Sequence, residues 1–320
     1  MIRLIKMELY RLFHAVSTYV MLLVVVGVVV LSTFAIKMDL RMMEKEQGVS
    51  GTGQTQQETA GNGSGAGEET PVESFGAGFT AGFMESGEED FDEEGFTFGI
   101  QSSVDESWID GDIDAGEMLM SELNSCLLVV FIAIFVPLFV NAEQKKGYIK
   151  NIAGQIPRRG MLALSKLPAV AIQVFLLFAM FCAAQFAAGA IFFRERLVFT
   201  DAGAFMGALG MQYVLHVAWG CLIALFTMAA RSTAFAMTTG ILLASGIFEL
   251  AARYLNRAVH ALIPSAGSFD IMRVTLSYAT GNMTKGSTAG QAGGFMALAV
   301  VYILISAVVS GVIYHKRDVR

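Results

Sequence analysis

The sequence predicts an all-α polytopic membrane protein with six transmembrane helices, preceded by an N-terminal interfacial helix. Two observations carry that class. First, 54% of the 320 residues are hydrophobic and only 16% are charged, whereas soluble domains run at about 45–50% and about 25%. Second, the apolar residues fall in long runs: 17–36, 123–141, 167–193, 205–230, 234–252 and 293–314. A helix needs about 20 apolar residues to cross the roughly 30 Å hydrocarbon core.

Residues 1–15 form the interfacial element. Ile2, Ile5, Leu9, Leu12 and Phe13 share one side of a helical wheel, and Arg3, Lys6, Tyr10 and His14 share the other. Such a helix lies in the membrane interface with its cations toward anionic headgroups. Arg3, Lys6 and Arg11 are the candidate membrane-interface residues. The first span, 16–36, exceeds the 7–15-residue apolar core of a signal peptide. Lys37 and Asp39 follow it without a small-residue cleavage site, so it reads as a retained helix.

Composition then changes abruptly. Segment 37–121 holds 20 acidic residues against 3 Lys and Arg, a charge of −17, and 15 glycines; the rest of the chain carries +11. The tract 48–67 is low-complexity Gly, Ser, Gln and Thr, and disorder is expected there. Asp110, Asp112, Asp114 and Glu117 resemble the start of an EF-hand loop. Ala115 and Ser121 then occupy the places of the essential Gly and the bidentate Glu. A solvated acidic face is the expectation.

The five-helix remainder spans 122–314, with a loop at 143–167, a second loop at 253–292, and a tail at 315–320. Pro137 is expected to kink the second span. Cys126, Cys182 and Cys221 lie in apolar runs without metal or redox spacing and read as small hydrophobes. Six spans put both termini on one side. That side carries 13 of the 19 Lys and Arg outside segment 37–121, and the opposite loops carry 6. By the positive-inside rule both termini are cytoplasmic and the acidic segment faces outward. Plasma membrane is the expected location, in a bacterium.

Catalytic signatures are missing. No GxxxxGK[ST], HExxH or GxSxG occurs, and the four histidines are scattered. The chain therefore reads as a non-enzyme with no cofactor or metal of its own, and its composition argues against nucleic-acid binding. Glu249 and Arg253, four apart near the end of the fifth span, are candidate intramembrane polar residues or an interfacial pair.

The loop 143–167 reads EQKKGYIKNIAGQIPRRGMLALSKL. A glycine hinge, a short stretch that can form a helix, a proline stop and flanking cations suit a rigid element docking on a partner. Glu143, Gly147, Lys150, Asn151, Pro157, Arg158 and Lys166 resemble the corresponding loop pattern of type-2 ABC exporter membrane subunits. That resemblance makes residues 1–14 an elbow helix and 150–159 a coupling helix. It implies a permease working with a separate ATP-binding cassette ATPase, which binds ATP and Mg, and with a second permease copy or homologue. The implied cargo is amphipathic: a peptide, a lipid-like molecule or a drug. The resemblance also makes 263–291 an outer re-entrant region. Two rival readings stand beside it. One is a non-transporting sensor or assembly protein displaying 37–121. The other is an ion-coupled transporter using Glu249.

Overall fold

The computed structural model describes residues 2–50, 108, 111–145, 160–262 and 270–316. Among them the chain is mostly helical, a membrane-embedded all-α protein. In chain order the helices are α1 (Ile2–His14), α2 (Val16–Ser50), α3 (Ala115–Asn124), α4 (Leu127–Lys145), α5 (Gly160–Phe193), α6 (Ala202–Ala230), α7 (Thr233–Ala244), α8 (Ile247–Leu262), α9 (Leu276–Gly281) and α10 (Ala289–Lys316). Two short strands, β1 (Ile113–Asp114) and β2 (Leu197–Val198), pair in parallel with Ile113 opposite Leu197.

Four stretches, carried by α2, by α5 with the 3-10 turn that follows it, by α6 and by α10, are long and apolar enough to cross a membrane: Val16–Met43, Ala163–Arg196, Ala202–Ala230 and Ala289–His315. A helix satisfies every backbone donor and acceptor within the segment, which is what lipid demands. The pair α3–α4 supplies a fifth candidate, bent by 54° at its joint. The expected kink at Pro137 is not where this bend lies. The α4 helix runs on through Pro137, and the chain turns instead at Cys126, which takes a left-handed φ of 60°.

The apolar run 234–252 departs most from expectation. It is two helices rather than one: α7 ends at Ala244, Ser245 and Gly246 make a turn, and α8 begins at Ile247. Gly246 has φ of +80°, a conformation open to glycine at little cost. The α8 helix is amphipathic, so its sequence suits an interface better than a bundle core.

The core lies between α4, α5 and α6. Trp219, Phe181, Ile132, Leu215 and Ile223 are fully buried there. The α7 helix lies along α4 and α6, α2 lies along α5, and α10 lies along α6 and α5. Small residues set the closest approach. A Cβ added at Gly240 of α7 would lie 2.7 Å from the Ala133 side chain of α4, the close helix contact that small residues permit in lipid. The three cysteines are buried and free.

Candidate functional site

Polar side chains gather at both ends of the bundle. At the first end, α1 crosses the start of α5. The side it buries is not purely apolar: Leu12 and Glu8 are both buried, while Phe13 is 45% exposed. Arg11 pairs with Glu8 at 2.9 Å, donates to the Phe139 carbonyl at 3.0 Å and sits 4.6 Å over the Phe139 ring. Lys166 of α5 is fully buried. Its ammonium donates to the Val140 carbonyl at 3.3 Å and lies 4.0 Å from Glu8. Asn141, one residue on, donates to Thr233 Oγ1 at 2.7 Å and ties α4 to the start of α7.

The sequence-derived residues divide as follows. Lys166 and Arg11 come together through Glu8, whereas Lys6 is exposed. Arg3 lies in α1 and Glu143 in the last turn of α4, by backbone position. Gly147, Lys150, Asn151, Pro157 and Arg158 lie outside the described residues, as does most of 37–121. Glu249 and Arg253 lie on α8, past the break at Gly246 and not within an apolar span; Arg253 is exposed to the cavity described next.

At the opposite end a cavity of about 850 Å³ opens between α3, the α7–α8 turn and the α9–α10 loop. Trp108, Glu117, Asn124, Ser245, Arg253, Tyr278 and Lys285 are among its walls. Its rim is closed by a latch. Asp114 caps α3, accepting from the Gly116 N–H at 2.7 Å and the Glu117 N–H at 3.3 Å. Its other oxygen takes the Lys285 ammonium at 2.7 Å and the Thr200 hydroxyl. Lys285 also lies 3.5 Å from Glu117. Burial pushes the Asp114 carboxyl up, but hydrogen bonds from Lys285, Thr200 and Gly116 prevail and hold it below the usual carboxylate range. Burial likewise pulls Lys285 down, and its bond to Asp114 with the nearby Glu117 more than restores it. Asp114 is thus buried and engaged, not part of a solvated acidic face.

Beneath the cavity lies a polar layer. Gln212 of α6 donates to the Thr280 carbonyl at 2.9 Å, and its amide meets the Asn124 amide at 2.7 Å. Trp219 donates to Thr280 Oγ1 at 3.2 Å. His216 is fully buried, and its Nδ1 donates to the Gln212 carbonyl at 2.7 Å. A carbonyl only accepts, so Nδ1 carries the hydrogen. The layer joins α3, α6 and α9 into the cavity floor.

Compared with protein-family models, curated proteins and solved structures, the chain matches none.

Glu8, Lys285 and Gln212 were not legible as site residues, and Asp114 was read only as part of a solvated acidic face. Glu8 and Lys166 are 158 positions apart, and Asp114 and Lys285 are 171 apart. The one local signal was Asp114 directly before the apolar periodicity of α3, a helix N-cap signature.

Proposed function

We propose that the chain is the membrane-spanning permease subunit of an ATP-driven exporter of the type-2 ABC class. It crosses the membrane six times, through α2, the bent α3–α4 pair, α5, α6, α7 and α10. Both termini are cytoplasmic, and 37–121 faces outward. The α7 helix, about 18 Å long at 1.5 Å per residue, covers part of the fifth crossing before the chain turns at Gly246. ATP and Mg bind a partner ATPase that docks on 143–167, and the cargo is amphipathic.

The observation that supports this reading most is the cluster at the α1 end. The segment 146–159 springs from the end of α4 and returns into α5. Lys166 bonds the carbonyl of Val140 on α4 and approaches Glu8 on α1. Both roots of the segment and the elbow are therefore one mechanical unit. A force delivered to the end of α4 or the start of α5 is shared by both helices and by α1, the arrangement that a rigid-body switch requires.

The test replaces Lys150, Asn151 and Arg158 together by Ala. The expected protein still reaches the membrane but no longer stimulates the partner ATPase. Unchanged ATPase stimulation and transport would remove the coupling role. The sensor reading makes a different prediction: deleting 48–67 should abolish function, whereas a transporter tolerates shortening of a spacer.

A further inference from the structure

The stretches 16–36, 127–142, 167–193, 202–230 and 292–313 contain no Asp, Glu, Lys or Arg. Glu122 is nevertheless folded among them. It lies on α3, one residue before the start of the second apolar run, and is 3% exposed. Its level in the bundle follows from its neighbours. An added Cβ at Gly189 of α5 would lie 2.7 Å from Met118 Cε, so Met118 faces Gly189. The two helices run antiparallel, and one turn further Glu122 comes level with Gln185, which is fully buried. From α2, Ser32 comes against the Glu122 carboxyl, and Thr33 Oγ1 lies 3.2 Å from Gln185 Oε1. Ser32 lies four residues before Ile36, where the apolar run ends, about 6 Å along the helix, so this layer is inside the apolar run near its C-terminal end.

The hydrogens of this layer are limited. Ser32 donates to the Val29 carbonyl at 3.1 Å, and Thr33 donates to the same carbonyl at 2.8 Å. Each hydroxyl has one hydrogen to give. The other carboxyl oxygen, Oε1, and Gln185 Nε2 are buried without a hydrogen-bond partner among the described residues. A bare carboxylate there would have no donor on Oε1 among the described residues, and a buried charge without compensation neutralises instead.

We propose that Glu122 is an intramembrane proton-binding site, held as the neutral acid against Ser32 and gaining or losing its proton as the α2–α3–α5 contact closes or opens. Among the described residues, no cation is paired with the Glu122 carboxyl to replace that proton. On α4 and α5 the titratable neighbours are the thiols of Cys126, at the joint, and Cys182. On α6 they are Tyr213 and His216, and on α9 Tyr278. On α2, Lys37, Asp39 and Arg41 lie a turn or more beyond Ser32; Lys37 sits over the Phe192 ring at 5.5 Å. On its own helix Glu117 faces Lys285, and before that helix Asp114 is bonded to Lys285. The site does not depend on the permease reading.

The test is infrared difference spectroscopy on the full chain in lipid bilayers at neutral pH, wild type against Glu122→Gln. The expected difference spectrum contains the carbonyl band of a protonated carboxyl, lost in the variant. On the wild type alone, alkaline titration should convert that band into carboxylate bands, a readout that survives misfolding of the variant. A difference spectrum showing only carboxylate bands would overturn the proposal. Carboxylate bands that shift with sodium, with no protonated band, would overturn it in favour of a cation site.

Discussion

At the scale of single residues, the Asp114–Lys285 latch has a definite pH signature. Asp114 is held below the usual carboxylate range, so its contribution is present at neutral pH and lost as pH falls through that depressed value. Lys285 is raised, so its contribution is present up to the usual lysine range and lost as pH rises through its raised value. The thermal midpoint of the wild type should exceed that of Asp114→Asn by a constant amount around neutrality. That excess should shrink in acid. An excess that grows in acid would contradict the latch. At the other end, Lys166→Met strands the buried Glu8 with less compensation. Removing one partner of a buried pair costs about 3–5 kcal/mol. The low end, about 3 kcal/mol, is expected because Arg11 remains on Glu8. Thermal unfolding in mild detergent checks it, and an unchanged midpoint would mean that Lys166 bears no part of the α1 contact.

At the scale of elements, close packing of small residues holds α7 on α4. Gly240→Val has to push against Ala133, whose backbone Cα would lie 3.3 Å from an added Cβ. Gly27 on α2 has open space around that position. Overpacking costs about 1–3 kcal/mol, so Gly240→Val should lower the unfolding midpoint while Gly27→Ala leaves it nearly unchanged. Equal effects at both sites would remove the α4–α7 contact from the account. Hydropathy made α2, α5, α6 and α10 legible, because a long apolar run has few other stable forms in lipid. It did not separate α7 from α8. Ala244 and Ile247 flank the Ser245–Gly246 turn, so the apolar run continues across it, and the turn depends on the backbone conformation of Gly246. Glu122 was hidden by its position at the border of an acidic segment. Its burial comes from α2 and α5, which lie far away in sequence.

At the scale of the whole molecule, the two ends differ in construction. One end binds α1, α4 and α5 through Glu8, Arg11 and Lys166, around the roots of the 143–167 loop. The other is a latched polar cavity over a hydrogen-bonded floor. On the permease reading proposed above, the first end is where the partner ATPase would drive the bundle and the second is where it would open. The sequence disclosed the charged loop and the apolar body, since both are local patterns. The latch and the cavity floor stayed hidden because the bonds that close them, Asp114 to Lys285 and Gln212 and Trp219 to Thr280, join distant segments. The central claim is that 143–167 docks a separate ATPase. The most direct measurement is purification of the tagged chain in mild detergent, co-expressed with its untagged genomic neighbours. The account predicts a stoichiometric P-loop ATPase in the preparation, absent when Lys150, Asn151 and Arg158 are replaced by Ala. A clean preparation without an ATPase, or an ATPase retained by the triple variant, would contradict it.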